Sequence, residues 1–303
     1  MSSTSQDPDT DDLNGLVLVG RPRGLLRGTA AAAREVWRRR QLLWLLIVRE
    51  VKSRYNGSYL GVLWSLGRPI VQLLVYYIFI GHVLQAAKSI PDFAIFIFTN
   101  LTIWGLFTET VSSGTTSIRS NAGLVKKVYL PREIFPITSL GAAFFNFIVQ
   151  FVILIIATAV LGVLPLHAGL LYLVPAVLIM AIYGLAIGMA LGAINAYLRD
   201  TEHLVDIALM LMFWASPILY SLAFMHSALA GTALEAIYLA NPATIAIIAM
   251  QKAIWISGSA DPAQYWPVDL DLRIIVAIVI GLVLLWVSQR IFARLQGNFA
   301  QEL

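Results

Sequence analysis

The 303-residue sequence contains no cysteine and little charge, since only 13% of its residues are Asp, Glu, Lys or Arg. The absence of cysteine excludes disulfide bonds, thiolate metal ligands and cysteine nucleophiles. Hydrophobic residues make up 59% of the chain, and the mean hydropathy is +0.78. A soluble domain cannot bury this much apolar surface, so the composition predicts an all-α polytopic membrane protein.

The sequence also lacks the motifs by which proteins bind nucleotides or hydrolyse substrates. Neither Gly-x-x-x-x-Gly-Lys-[Ser/Thr] nor a single Gly-Lys pair occurs, so the chain has no glycine-rich loop that could hold ATP phosphates. Gly-x-Ser-x-Gly and His-Glu-x-x-His are absent too, which argues against hydrolytic chemistry. We therefore expect a chain without catalytic residues, cofactor or metal ion. If ATP drives this protein, the nucleotide and its Mg would have to be bound by a separate subunit.

Six uncharged or nearly uncharged runs are long enough to span a membrane as helices. With six spans both termini lie on one side, and most of the 21 lysines and arginines fall on that side; Lys88, Lys252 and Arg273 fall on the other. Because basic residues concentrate on the cytoplasmic side, this asymmetry predicts cytoplasmic termini. The predicted spans are residues 69–87, 93–115, 134–161, 169–193, 204–222 and 272–290.

Two segments precede the predicted transmembrane domain of residues 66–303. Residues 1–20 begin with a polar, acidic run and are predicted to be a disordered tail. Residues 21–65 are predicted to be a basic, helical, cytoplasmic or interfacial segment, with seven arginines between Gly20 and Arg40. Membrane lipids explain this charge without nucleic acid, because the segment leads directly into the membrane and shows no nucleic-acid-binding fold.

The stretch from Trp44 to Tyr55 predicts a helix that lies in the membrane surface, because its apolar residues recur at three- and four-residue spacings. Asn56-Gly57 breaks this helix. Pro69 is placed near the first turn of the next helix, where its missing N–H does no harm. The predicted shape is an elbow of surface helix, turn and spanning helix. On pattern alone, a basic juxtamembrane anchor without further role is an equal alternative.

A different pattern precedes the last predicted span. Two apolar segments, Leu234–Leu239 and Pro242–Ile256, are each too short to cross a bilayer and are separated at Asn241-Pro242. We expect them to be short re-entrant helices that enter the membrane from the outer side and are covered by protein. Two helices lying flat at the outer interface are the alternative.

The loop from Asn121 to Pro136 predicts a short helix that ends before Pro131. Its apolar residues Leu124, Val125 and Val128 fall on one side, and two lysines are exposed. A short helix with an apolar ridge is suited to insertion into a groove of a partner protein. A loop that packs against its own chain is the alternative.

Taken together, these segments resemble the ABC-2 type permeases, the membrane subunits of ATP-driven polysaccharide exporters of the Wzm and teichoic-acid kind. The resemblance runs from about residue 40 to the end, and the basic N-terminal segment lies outside it. The segments that carry the resemblance are Arg54-Tyr55, Ser58, Leu60-Gly61, Leu63-Trp64, Pro69, Asn121–Pro136, Tyr197–Asp200, Ser216–Tyr220 and Asn241-Pro242.

The resemblance implies a homodimer in the bacterial plasma (inner) membrane that works with two copies of an ABC ATPase subunit. The expected substrate is a lipid-linked polysaccharide of the O-antigen or galactan type. The loops after the second and fourth spans would contact the ATPase. The residues expected to take part in this coupling are Leu124, Val125, Lys126, Lys127, Val128, Arg132, Glu133, Arg199 and Asp200.

A conduit for glycans needs flat rings and neutral hydrogen-bonding groups, because sugars present apolar C–H faces and hydroxyl edges. The second and third predicted spans each carry both kinds of side chain, although core or lipid contact explains any single ring better. Arg68 and Arg54 are placed at headgroup depth, where they could bind a lipid diphosphate; plain lipid anchoring is the alternative. The candidate lining residues are Asn100, Trp104, Phe107, Phe144, Asn146, Phe147, Gln150 and Phe151.

Two ionisable residues, Glu109 and Asp206, fall inside predicted spans. We expect both near helix ends at the inner interface rather than in a proton relay. A rival function, a membrane-embedded glycosyl- or phosphotransferase acting on polyprenyl-linked sugars, would need carboxylates or metal ligands clustered at one membrane face, which these sparse acids do not supply. A secondary transporter would usually show repeated halves and paired midplane charges, and the sequence shows neither.

Overall fold

The computed structural model describes residues 25–55, 64–83, 85, 88–128, 130–260 and 265–303, and in these residues all regular structure is helical. The predicted turn at Asn56-Gly57 and the predicted tail of residues 1–20 lie outside the described residues. The α-helices are α1 (Leu25–Arg38), α2 (Arg40–Tyr55), α3 (Trp64–Tyr76), α4 (Phe93–Ser120), α5 (Ala122–Lys127), α6 (Ile134–Val160), α7 (Leu173–Asn195), α8 (Thr201–Trp214), α9 (Leu222–Leu229), α10 (Ala233–Ala240), α11 (Pro242–Ile254), α12 (Leu270–Leu295) and α13 (Phe299–Glu302).

Helix α4 lies at the centre of the molecule, packed between α6 and α7. Its most apolar window is 78% buried inside the protein, against 22% for the corresponding window of α12. Helix α4 carries polar side chains, among them Asn100, Thr102 and Thr110, which need partners inside the protein, whereas an apolar helix surface such as that of α12 can face lipid. Helix α4 therefore forms the core, and α12 lies at the periphery.

Small residues bring α4 and α7 close together. A Cβ atom on Gly192 of α7 would lie 2.6 Å from the backbone oxygen of Gly114 on α4, and one on Gly188 would lie 3.0 Å from the oxygen of Thr110. Larger residues would push the two backbones apart, so these positions need glycine. We name this contact the α4–α7 seam, formed by Thr110, Gly114, Gly184, Gly188 and Gly192.

Four helical segments are long and apolar enough to cross a membrane, and a fifth would follow if the bent pair α10 and α11 is one span. The chain is thus an all-helical membrane protein with several spans. The six-span topology stays a prediction. The four segments are Phe93–Ser120, Ile134–Val160, Ala168–Asn195 and Leu270–Asn298.

The first and fifth predicted spans correspond to shorter helices. Helix α3 continues as a π-helix over Tyr77–Val83, and the apolar helix there, Ile70–Gly81, is shorter than the four spans. The prediction of one helix over 204–222 is wrong in its second half, because α8 ends at Trp214 and turns follow through residue 220. Pro217 lies within these turns, and its missing N–H cannot continue a helix.

The predicted break at Asn241-Pro242 is present between α10 and α11, whose axes are bent by 71°. The Asn241 side chain accepts a 3.0 Å hydrogen bond from the Ala243 N–H, and Pro242 takes the first helical position. This combination is favoured at a helix start. Helix α11 is buried along nearly its whole length against α4, α7 and α12.

A second hydrophobic cluster joins the elements at the end of the molecule that carries α5, which we name the basic end. Helix α2, which covers the predicted surface helix, contributes Leu46 and leaves Trp44 and Leu45 exposed on its other side. The cluster ties α2 and α5 to the ends of four longer helices. Its buried residues are Leu46, Ile118, Val125, Ile134, Phe135, Met189, Ala193, Ala196, Phe292 and Phe299.

Candidate functional site

A cavity of about 960 Å³ lies beside α4 and is bounded by α3, α6, α8 and the end of α2. Its lining combines rings, amides, hydroxyls and three charged side chains. The lining residues are Arg54, Gln72, Tyr76, Leu101, Trp104, Gly105, Thr108, Glu109, Ser112, Ser113, Asn146, Gln150, Asp206, Leu209, Met210, Phe213 and Trp214.

One wall of the cavity is aromatic and is centred on Phe213 of α8. The Phe213 ring stacks on Tyr76 with ring centroids 6.1 Å apart, and it meets the edge of Trp104 at 6.0 Å. Trp214 packs against it nearly perpendicularly at 5.8 Å. Aromatic pairs at these separations stabilise each other, so three helices hold the rings in fixed positions.

The remaining lining is largely polar and neutral. Asn146 and Gln150 lie one turn apart on α6, and Gln72 lies on α3. Thr108 of α4 donates to the backbone oxygen of Trp104 at 3.1 Å, so its own helix satisfies the hydroxyl proton. Amide and hydroxyl groups of this kind can exchange hydrogen bonds with a polar molecule in the cavity.

A charged network closes the cavity toward the basic end. The Arg54 guanidinium on α2 forms an ion pair with Glu109 on α4, and it donates to the Ser113 hydroxyl at 3.2 Å. Asn146 donates to the same Glu109 carboxylate at 2.7 Å. The prediction that Glu109 lies near a helix end is wrong, because α4 continues to Ser120. Asp206 lies in the second turn of α8, exposed and lining the cavity.

The structure divides the candidate lining residues between the cavity and the core. Trp104, Asn146 and Gln150 line the cavity. Asn100 is instead buried: its amide donates to the backbone oxygen of Ile218 at 2.9 Å, and its oxygen accepts from Gln251 at 3.0 Å. Asn100 therefore joins α4 to α11 and to the turns after α8 rather than facing the cavity.

The phenylalanines of α4 and α6 fall outside the cavity lining as well. Phe107 is buried in the core, tilted against Trp104 with ring centroids 5.4 Å apart. Phe144, Phe147 and Phe151 form a stacked ladder along α6, with successive centroids 5.8 and 5.7 Å apart. The ladder runs beside Asn146 and Gln150 on α6, and its rings are not among the residues that line the cavity.

The predicted docking helix is present as α5, but its apolar ridge is divided. Val125 is 6% exposed and packs into the cluster at the basic end, and Leu124 packs partly against that cluster. Val128 is 47% exposed, and Lys126 and Lys127 are exposed beside it. Self-packing thus accounts for Val125, and the exposed surface consists of Val128 and the two lysines.

The other coupling candidates lie at the same end. Arg132 lies over the Phe299 ring at 5.6 Å, and Glu133 is buried at the start of α6. Arg199 and Asp200 are exposed between α7 and α8. A cleft of about 430 Å³ lies where the ends of α4 and α7 meet the starts of α5 and α8, so the two loops are neighbours. Its lining residues are Thr116, Arg119, Ser120, Ala122, Ala196, Arg199, Glu202, Glu302 and Leu303.

The predictions about a diphosphate ligand and about metal ions can be compared with the structure only for the residues that it describes. Arg68 belongs to α3, but its side chain lies outside the described residues. In the described part of the chain, no group of three His, Asp or Glu side chains is placed to hold a metal ion. Arg54 is thus the one predicted diphosphate ligand whose contacts can be followed.

Comparison with known proteins identifies the family to which this helical architecture belongs. Residues 41–255, most of the chain, match the family model of the ABC-2 type transporters. The chain belongs to this family. The match begins in α2 and ends just after α11, so it includes every element that lines the cavity and α5 as well.

Curated relatives of this ABC-2 family member are named as export permeases. An O-antigen export system permease protein RfbA from Myxococcus xanthus is 30% identical over 270 residues, which cover 89% of this chain and 98% of the relative. A protein of the same name from Klebsiella pneumoniae is 28% identical over 181 residues, which cover 59% of this chain and 69% of the relative. The chain is therefore a transport subunit and not an enzyme, and permeases of this family work with an ATPase partner.

Proposed function

We propose that the chain is the membrane subunit of an ABC exporter that moves a lipid-linked polysaccharide, of the O-antigen or galactan type, out of the cytoplasm. Hydrolysis of ATP, with its Mg, takes place in a separate subunit. The cavity carries this proposal, since it sets an aromatic wall around Phe213 against the amides of Asn146 and Gln150. The names of the O-antigen export relatives support the same substrate class.

The two kinds of wall suit a sugar chain better than a lipid or an ion. A sugar ring presents apolar C–H faces, which pack against flat aromatic rings, and hydroxyl edges, which need donors and acceptors. The Tyr76, Trp104 and Phe213 rings provide the first, and the neutral amides provide the second. A pocket with apolar walls and a few fixed polar groups binds and orients its ligand in this way.

A homodimer is the second part of the proposal. Asp206 is exposed and lines the cavity on α8, and among the described residues no ion pair covers it. A carboxylate and a polar cavity at membrane depth cannot face lipid. A second copy of the chain, packed along the apolar faces of α3 and α8, would cover the cavity and complete a conduit between the two subunits.

The ATPase would bind at the basic end, which is then cytoplasmic, together with both termini, in a bacterial plasma membrane. Lys126 and Lys127 are exposed on α5 and Val128 directly after it. Arg199 and Asp200 are exposed on the neighbouring loop. Val125 anchors α5 to the membrane domain. Movement of two ATPase subunits would thus reach the spanning helices through α5, with Arg132 and Glu133 at the start of α6.

The coupling surface gives the test of this function. Val128→Asp places a charge on the exposed docking surface without disturbing the buried cluster. We expect the tagged variant to insert into the membrane of its own cells at wild-type levels. The amount of ATPase that copurifies with it should fall about tenfold or more relative to the wild type, and polysaccharide should stay inside the cell. Val128→Thr is the matched control and should retain the ATPase.

The Leu124→Asp variant should also fail to retain the ATPase on purification. Because Leu124 is partly buried, the thermal stability of this variant has to be measured as well. Recovery of an intact complex with Val128→Asp, at the yield of Val128→Thr, would remove α5 as the coupling element. Normal export of surface polysaccharide by cells depleted of the chain would contradict the exporter function itself.

A further inference from the structure

The Arg54–Glu109 ion pair links the elbow region to the cavity. Arg54 lies in the last turn of α2, and its guanidinium reaches α4. Besides Glu109, it contacts the Ser113 hydroxyl at 3.2 Å and the Glu50 carboxylate of its own helix at 3.5 Å. One cation thus joins the end of α2 to the cavity wall on α4.

The geometry of this pair allows Arg54 to change partners. Only one guanidinium nitrogen, Nη1, bonds Glu109, and only one carboxylate oxygen, Oε1, accepts the bond. A bidentate contact, in which two guanidinium N–H groups bond two carboxylate oxygens, would be stronger. The side chains of Arg54 and Glu109 are 27% and 22% exposed, and ion pairs that water can reach are weak.

Glu109 has a second partner that would stay when Arg54 leaves. Asn146 of α6 donates to the same oxygen, Oε1, at 2.7 Å. This bond holds the Glu109 carboxylate on the cavity wall, so the carboxylate cannot move with the Arg54 guanidinium when that group turns toward another partner. The carboxylate would remain hydrogen-bonded and in contact with the cavity, which keeps the cost of separating the pair small.

We infer that Arg54 is a diphosphate-binding residue that Glu109 occupies at rest, and that the diphosphate of an arriving lipid-linked substrate displaces Glu109. This inference rests on the proposed function. A diphosphate carries more than one negative charge, and its oxygens can accept hydrogen bonds from two guanidinium nitrogens at once. The phosphodiester of an ordinary phospholipid carries one charge, so it competes less well. The pair therefore excludes membrane phospholipids and admits the substrate.

Reconstitution of the chain with its copurifying ATPase in phosphatidylcholine vesicles tests this inference. A polyprenyl diphosphate should stimulate ATP hydrolysis by the wild-type complex. Arg54→Gln should abolish the stimulation, and Arg54→Lys should weaken it, because lysine keeps the charge but cannot donate the two parallel hydrogen bonds of a guanidinium. Glu109→Gln removes the competitor and should lower the half-maximal lipid concentration by about fivefold.

The charge-swapped variant Arg54→Glu with Glu109→Arg separates recognition from structure. If the pair only joins α2 to α4, the swap restores both thermal stability and stimulation, and the inference is overturned. If Arg54 binds the diphosphate, the swap restores stability and stimulation stays lost. A half-maximal concentration that rises in Glu109→Gln would also overturn the inference.

The source of the phosphate groups is tested in three parallel arms. Inorganic diphosphate in solution should compete with the polyprenyl diphosphate, and phosphatidylglycerol should not stimulate the wild-type complex. Phosphatidylglycerol should stimulate Glu109→Gln, because the competing carboxylate is gone. Equal stimulation of the wild type by both lipids would overturn the selectivity. A wild-type complex that no lipid diphosphate stimulates would instead contradict the proposed function.

Discussion

Helix α4 contributes to two regions with opposite requirements, the α4–α7 seam and the cavity wall. In the seam, glycines of α7 lie against Gly114 and Thr110, and there is no room for a Cβ atom. On the cavity wall, Gly105 lies on the same helix, yet an added Cβ would meet only the Gln150 side chain, at 3.7 Å. The same residue type is thus required on one face of α4 and replaceable on the other.

Polar groups differ between the two regions in the same way. On the core side, Asn100 exchanges hydrogen bonds with Gln251 and with two backbone oxygens, and all of these groups are buried. On the cavity side, Asn146 bonds a carboxylate that a ligand can reach. Buried polar groups must be satisfied within the protein, whereas groups on a cavity wall can exchange partners. Mutations on the core side and on the cavity side should therefore affect fold and function separately.

The largest effect is expected from Gly192→Leu. A Cβ atom there would lie 2.6 Å from the Gly114 backbone oxygen, so α4 and α7 would have to separate. Overpacking of this kind should cost about 3 kcal/mol or more and lower Tm by roughly 10 °C in a thermal-shift measurement. Loss of a monodisperse peak in size-exclusion chromatography is the extreme form of the same result.

Gly105→Ala is the matched control for the seam. Its Cβ meets ordinary contacts only, and alanine is favoured over glycine inside a helix by about 0.5–1 kcal/mol. Tm should stay unchanged or rise slightly. Equal destabilisation by Gly192→Leu and Gly105→Ala would show that the two faces of α4 do not differ in the way the contacts indicate.

The second comparison is between two asparagines. Asn100→Leu keeps the volume but leaves Gln251 and the Ile218 backbone oxygen with fewer partners, which should cost about 1–3 kcal/mol per unsatisfied group. Asn146→Leu removes a hydrogen bond at the cavity surface and should cost less than about 1 kcal/mol. Thermal unfolding of both variants in the same detergent measures the difference. A Tm lower for Asn146→Leu than for Asn100→Leu would reverse the assignment of core and cavity.

Much of the fold could be predicted from hydrophobicity and local breaks. Four predicted spans correspond to long apolar helices, and the break at Asn241-Pro242 follows from capping and the missing proline N–H. The end of α8 was missed although Pro217 marks it, because an apolar run continues through the turn. Hydrophobicity reports depth in a membrane, and it does not report whether the backbone is still helical.

The candidate site was predictable only in part, because periodicity gives the face of a helix and not the neighbour of that face. In the sequence, Asn100 and Asn146 are both amides inside predicted spans that also carry aromatic residues. Only the packing of α11 and of the turns after α8 buries Asn100. Glu109 was missed as the partner of Arg54 because the two are far apart in the sequence. The signal that could have found it is an acid inside an apolar span, which needs a cation nearby.

A moderate effect on stability, with a distinct effect on transport, is expected from Phe213→Leu. Leucine keeps most of the apolar contact but loses the ring pairs with Tyr76 and Trp104, each worth about 0.5–1.5 kcal/mol. Since Phe213 is only partly buried and lines the cavity, its flat face is more important for a passing sugar ring than for the fold. Surface polysaccharide should fall severalfold in quantitative extracts, whereas Tm should fall by only a few degrees. Leu211→Ala is the control, because Leu211 is 62% exposed and lies outside the cavity lining. If Leu211→Ala reduces export as much as Phe213→Leu does, the loss reflects α8 as a whole, and the aromatic wall has no specific part in transport.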